Sequence, residues 1–244
     1  LAAGRSVSLP SQSAGGLKYV TRVTSAYAQV RQQFGISIGK FEGIDEALAR
    51  IVASTYLLEA ARVFTASAVD TGIKPAVASA IVKYNATELA RKAVTDAMDI
   101  FGGAGITKGP KNLTADAYVA APIAITVEGA NILTRTMIIF GQGAIRCHPY
   151  AYKEVVALQN NDLKAFDKAF TSHVAHVITN LTRSIVLSLT RGYLAKSPKS
   201  PMAKHYRKLS WVSASFAFWA DVAMGTLGGK LKFKEKLNFV YSSS

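Results

Sequence analysis

Apolar side chains recur at three- and four-residue steps through most of the chain, a spacing that predicts helices. From Gly15 to Gln33, Leu17, Val20, Val23, Tyr27 and Val30 fall on one face. The serine- and glycine-rich stretch Ser11 to Gly16 predicts the loop before that helix. A second helix is expected from Gly43 to Asp70, with Ile44, Leu48, Ile51, Leu57 and Phe64 on a face too broad for a lone surface helix. A third begins near Lys74-Pro75, where proline suits a first turn, and runs through Tyr84, Leu89 and Met98 to Ile100. Gly102-Gly103-Ala104-Gly105 ends it.

A loop is expected from Lys108 to Pro122, followed by a fourth helix from Asn131 to about Phe140. Three long amphipathic helices and a shorter one predict an all-α, up-and-down four-helix-type bundle. Gly141 to Tyr150 reads as a turn between units. Two more helical runs are expected near Leu163 to Arg191 and Ala203 to Leu227, separated by Lys196-Ser-Pro-Lys-Ser-Pro201. The expected organisation is a bundle over residues 1–148 and a helical C-terminal extension over 149–244, with a lysine-rich tail from Lys230 to Lys236.

Composition narrows the functional classes. Half of the 244 residues are apolar, enough for a sizeable core. The net charge of +14 is uneven: residues 1–148 carry 15 basic and 10 acidic side chains, residues 149–244 carry 14 and 5. A basic surplus suits nucleic acid, an anionic membrane or a polyanionic small molecule. No nucleic-acid recognition module emerges, so no nucleic acid partner is expected. The most apolar window, Trp211 to Leu227, is interrupted by Asp221 and Gly225, which argues against a membrane span and leaves peripheral membrane contact open. The single cysteine, Cys147, fits a reducing compartment and reads as a small packed residue.

Four features could carry chemistry. Gly102 and Gly103 follow a helix rather than a strand, so they read either as a cap or as backbone that a flat or phosphorylated ligand can approach. Arg31, in Val30-Arg-Gln-Gln-Phe-Gly35, lies where a guanidinium could grip a pyrophosphate, beside the ordinary capping explanation. His148, His173, His176 and His205 do not form a metal set by spacing: the pair at 173 and 176 lacks a third ligand, and no metal is expected. Glu128 follows eleven uncharged residues and meets no basic side chain until Arg135. Ile123, Ala124, Ile125 and Val127 hydrate a carboxylate poorly and favour its use as a proton acceptor. A first-turn acid facing the dipole of the next helix explains Glu128 equally well, and spacing leaves both open.

Three motifs in order resemble the C-terminal helical domain of the acyl-CoA dehydrogenases, in particular bacterial long-chain enzymes with an extra C-terminal region. They are Arg31-Gln-Gln-Phe-Gly35 with Phe41-Glu-Gly-Ile44, Asp96-Ala-Met-Asp-Ile-Phe-Gly-Gly-Ala-Gly105, and Ile123-Ala-Ile-Thr-Val-Glu-Gly-Ala-Asn-Ile-Leu-Thr-Arg135. The resemblance implies that Glu128 removes the pro-R α-proton of an acyl-CoA thioester while the N5 of FAD takes the β-hydride. The product is a trans-2-enoyl-CoA, and electron-transfer flavoprotein or a similar acceptor reoxidises the flavin. It further implies that Arg31 reaches the FAD pyrophosphate across a dimer interface, that Phe34 contacts the flavin, and that Gly102 and Gly103 lie at its adenosine side. Gly129, Ala130 and Asn131 would line thioester and cofactor, and Arg5 would stand near the base.

The resemblance also sets expectations for the whole protein. Asp99 stands where many relatives carry glutamine, and Thr114-Ala115-Asp116 lacks an arginine common before the catalytic glutamate. The N-terminal helical and middle β-domains of the family are missing from this sequence, so it is expected to be the C-terminal part of a longer, homo-oligomeric enzyme of fatty acid β-oxidation, inactive alone. A bacterial protein of this kind would be cytoplasmic or peripheral on the inner membrane, and a eukaryotic one mitochondrial. The rival reading is a non-catalytic helical scaffold or membrane-associated subunit that keeps the family fold.

Overall fold

The computed structural model describes residues 4–135, 143–228 and 230. The chain divides into two compact units, Leu1–Arg135 and Thr136–Ser244.

In the first unit a π-helical turn, Gly4–Ser8, leads into α1, Leu9–Val30. The predicted loop over Ser11 to Gly16 is helical instead. Pro10 sits in the first turn, and Leu9, Pro10, Ser13, Ala14 and Leu17 are buried, so tertiary packing outweighs the poor helix propensity of serine and glycine. The helix ends in a minimal hairpin, β1 (Gln32–Gln33) and β2 (Ile36–Ser37), paired antiparallel as Gln32↔Ser37 and Gln33↔Ile36. Phe34 and Gly35 form its tip with φ of 53° and 79°, the two positive values that a primed two-residue turn requires. A 3₁₀ turn, Ile38–Lys40, connects to α2, Glu42–Asp70, and a short turn returns the chain into α3, Ala76–Phe101.

Helices α1, α2 and α3 pack on one another around Leu17, Val20, Ile51, Leu58, Val94 and Ile100. On the rim, the Arg50 guanidinium of α2 donates to both oxygens of Asp96 on α3 at 2.9 and 3.2 Å. Lys18 and Arg62 hold the Glu59 carboxyl at about 2, well below its ordinary value of 4.5; hydrogen bonding to Arg62 is the larger cause. A depressed carboxylate contributes stability above its unfolded value and loses it on acidification. Chemical denaturation should therefore show a slope in stability between pH 4.5 and about 2 that Glu59→Gln flattens.

Beyond a short helix α4, Gly103–Ile106, the predicted loop before Pro122 contains a further helix, α5, Ala115–Thr126, packed on α3. Pro122 lies inside it without breaking it. Asn112 caps its start by accepting from the Thr114 and Ala115 amides at 3.0 and 2.8 Å. The expected helix from Asn131 is seen as α6, Asn131–Leu133; its expected continuation over 136–140 lies outside the described residues. The unit is thus the expected all-α bundle, with α5 as the fourth helix against α3.

The second unit is helical as well: α7 (Gly143–Cys147), α8 (Ala151–Gln159), α9 (Leu163–Leu189) and α10 (Ala203–Leu227). Helix α8 was not expected from the sequence pattern. His148 caps it, its Nδ1 accepting the amides of Tyr150 and Ala151 at 3.2 and 2.9 Å. Asp162 caps α9 through the Ala165 amide. Helix α9 packs on both α8 and α10, and the Trp211 indole donates to Ser188 Oγ across the second contact. Of the lysine-rich tail only Lys230 is described. No helix of the described residues is long and apolar enough to cross a membrane.

Candidate active site

Glu128 lies in the turn that joins α5 to α6. Its own φ is 56° and that of Gly129 is 97°, so two successive residues adopt left-handed backbone. For a non-glycine residue this costs of order 1 kcal/mol and persists only where surrounding contacts fix it. Here the fixing group is Lys83 of α3, which is fully buried. Its ammonium donates to Gly129 O at 2.8 Å, to Asn131 Oδ1 at 2.6 Å and more weakly to Ile125 O at 3.4 Å. All three of its protons meet the segment that carries Glu128. Asn131 passes the network on, its amide donating to Thr87 Oγ1 and Glu88 Oε1, each at 2.9 Å. Thr134 Oγ1 adds a second donor to Gly129 O at 3.1 Å.

Burial pushes the Lys83 ammonium below its ordinary value; Glu88 opposes that shift, Arg5 adds to it and Glu128 opposes it. Glu128, isolated from basic residues along the chain, thus has a cation within electrostatic reach in the fold. Spacing along the chain could not show that α3 brings Lys83 within electrostatic reach of it. Yet the ammonium gives its hydrogen bonds to backbone and amide oxygens, and Glu128 Oε2 is buried without any among the described residues. The Nε of Arg5 is likewise buried without a hydrogen bond among the described residues. Gly4 closes the other side: a methyl group there would stand 2.5 Å from Glu128 Oε1 and 2.6 Å from its Cδ. The arrangement presents a carboxylate whose turn is held from below, with one oxygen free of hydrogen bonds, as a proton acceptor needs.

A cavity of about 670 Å³ lies at the junction of the hairpin, α2 and the end of α3. Tyr27, Arg31, Phe34, Phe41, Gly102 and Gly103 are among the residues that line it. Tyr27 stacks on Phe101 with ring centroids 4.3 Å apart, while Phe34 is 92% exposed and meets Phe41 edge-on. Gly102 has φ 56°, and an added methyl at Gly102 or Gly103 would meet nothing within 4 Å. Aromatic surface, a guanidinium and bare backbone in one hollow suit a flat ligand that carries phosphate.

The structure thus gathers Arg31, Phe34, Gly102 and Gly103 around one cavity, and Glu128, Gly129 and Asn131 around Lys83. Ala130 is the N-cap of α6, its carbonyl accepting from Leu133 and Thr134. Both amide hydrogens of Asn131 are engaged within the protein, so its side chain acts in holding the turn. Lys83 and Gly4 were not singled out from the sequence. The signal for Lys83 is a lysine at a core-facing position of α3, between buried Ser79, Ala80, Ala86 and Thr87.

The model of the acyl-CoA dehydrogenase C-terminal domain matches residues 4–141, and that of the bacterial type of acyl-CoA dehydrogenase C-terminal region matches residues 145–239. An acyl-CoA dehydrogenase complexed with FAD from Bacillus anthracis superposes with a TM-score of 0.70 at 18% identity, over 99% of this chain and 40% of that one; at such identity the likeness shows the fold. The FAD complex of PigA superposes with a TM-score of 0.50 at 25% identity, over 56% of this chain and 35% of that one. The chain spans two fifths or less of the solved structures it matches.

Proposed function

The chain belongs to the acyl-CoA dehydrogenase family, and from that premise we propose that it forms the C-terminal part of an FAD-dependent enzyme that converts medium- or long-chain acyl-CoA to trans-2-enoyl-CoA in fatty acid β-oxidation. Glu128 is the base, and the observation that carries this reading is its buried Oε2, without a hydrogen bond among the described residues, on a turn that Lys83 fixes.

In this reading the thioester α-carbon faces Glu128 and gives up its proton to the carboxylate. The α-proton is weakly acidic, so the acceptor must be placed within a few tenths of an ångström and poorly hydrated. Lys83 supplies the placement from one side and Gly4 from the other. Bound FAD would supply a two-electron acceptor for the β-hydride, and electron-transfer flavoprotein or a similar acceptor would reoxidise it. The cavity beside Phe34 fits the cofactor: Arg31 would hold its pyrophosphate, Phe34 its ring system, and the open backbone of Gly102 and Gly103 its adenosine end. Arg31→Ala should weaken FAD retention by roughly 10–100-fold, the value of a lost charge-assisted contact of about 1.5–3 kcal/mol. Flavin bound per chain after dialysis measures it.

Gly4→Ala tests the placement of the base. The methyl would displace the carboxylate rather than backbone, so the fold should survive while turnover falls roughly 10²-fold, as expected for an ångström-scale misplacement. An unchanged turnover would remove Gly4 from the site.

The direct test of the reading uses the full-length protein. It should purify with a visible flavin band that bleaches when a long-chain acyl-CoA is added without oxygen. A colourless protein that takes up no FAD would instead identify a scaffold that kept the family fold.

A further inference from the structure

We propose that the C-terminal unit carries a binding site for a divalent first-row transition ion, with the His173 imidazole and the Asp221 carboxylate as its protein ligands. The two side chains come from α9 and α10, and their ligand atoms, with that of His148, all lie within 4.8 Å of one another. The Asp221 side chain is 4% exposed, and neither of its oxygens makes a hydrogen bond among the described residues. A carboxylate buried in that state is costly unless a cation faces it or it takes up a proton.

His173 is arranged as a ligand. Its Nδ1 lies 2.7 Å from Glu154 Oε1, and a carboxylate at that nitrogen keeps the ring proton there, which turns the Nε2 lone pair outward. That Nε2 faces Asp221 Oδ1 at 3.5 Å. A lone pair and a carboxylate oxygen at this separation repel unless a positive charge stands between them, either a metal ion or a second proton on His173. Carboxylate, imidazole and metal in series is the common pattern of metal-bound histidine.

His148 has a different part. Its Nδ1 accepts two backbone amides, so its proton sits on Nε2, 2.9 Å from Asp221 Oδ1. This contact sets His148 against the carboxylate that it faces, which makes it a positioning residue rather than a ligand. A cavity of about 530 Å³ borders Glu154, His173 and Asp221 and has room for waters to complete the coordination. Imidazole nitrogen with carboxylate oxygen suits zinc and its neighbours better than calcium or magnesium. Sequence spacing gives no sign of this grouping because its members come from three helices and the turn before α8. The inference does not depend on the flavin reading, since all of its residues lie in the second unit.

The test is calorimetric titration of zinc chloride into metal-stripped full-length protein, with cobalt(II) absorption as a second readout. The wild type should bind one ion per chain at this site. His173→Gln and Asp221→Asn should each weaken binding by more than the roughly tenfold typical of losing an outer partner, and His148→Gln by about that amount. His205→Gln, on the exposed face of α10, should bind as the wild type does. Cobalt bands of a mixed nitrogen–oxygen site in the wild type keep the test valid should a variant fail to fold. No saturable zinc binding by the wild type, or equal affinity in Asp221→Asn, would overturn the proposal and leave a histidine–carboxylate network closed by a proton.

Discussion

Glu128→Gln in the full-length protein should retain FAD and lose roughly 10²–10⁴-fold in the rate of flavin reduction by acyl-CoA, the contribution of a well-placed general base. Glutamine keeps the length and shape of the side chain but cannot accept the α-proton. The turn should survive, because it is fixed by Lys83 acting on Gly129 O and Asn131 Oδ1 and not by the Glu128 carboxylate. The expected signature is therefore a normal flavin spectrum, normal thermal stability and a slow single-turnover bleaching. Loss of flavin in this variant would mean that Glu128 serves the fold or the cofactor instead.

Lys83→Met should produce the largest change in stability. Among the described residues, removing the ammonium leaves Gly129 O with Thr134 as its donor and deprives Asn131 Oδ1 of its partner. Each buried acceptor deprived of its donor costs about 1–3 kcal/mol, partly offset because an ammonium no longer has to be buried. A net loss of about 2–4 kcal/mol is expected, read as a lower denaturation midpoint. Activity should fall further than stability explains: among molecules that still fold and hold FAD, turnover should drop roughly 10²-fold because the Glu128 turn has lost its support. Turnover normalised to bound flavin separates the two effects. A variant that is destabilised but fully active per flavin would make Lys83 a core residue with no part in positioning the base.

Much of the fold can be read from hydrophobic spacing, and the failures have physical causes. Helices α2, α3, α9 and α10 lie close to where their apolar spacing places them, but the face differs on α2: Ile51 is buried as expected, while Leu57 and Phe64 are exposed and Ala47, Leu58 and Thr65 face the core instead. The start of α1 was hidden by Ser11, Ser13, Gly15 and Gly16, whose weak propensity is overridden by burial of Leu9, Pro10 and Ala14. Helix α5 was hidden by Pro122 and by its nearly uniformly apolar sequence, which gives no periodic signal.

The site divides in the same way. The glycine pair, Arg31 and Phe34 stand in motifs, and the fold brings them to one cavity. Glu128 was visible as a lone acid, but its support was not, since Lys83 lies 45 positions away and reaches it only through α3 packing against α5. The cluster of His148, His173 and Asp221 was invisible for the same reason: no spacing rule links a helix cap to residues of two later helices.

The most direct test of the central claim isolates the base from the redox step. Full-length protein is incubated in deuterated water with a CoA thioester whose β-carbon bears no hydrogen, so that only the α-proton can move, and deuterium at the α-carbon is followed by mass spectrometry. The account predicts enzyme-dependent exchange in the wild type and none above background in Glu128→Gln. Equal exchange in the two proteins would contradict it.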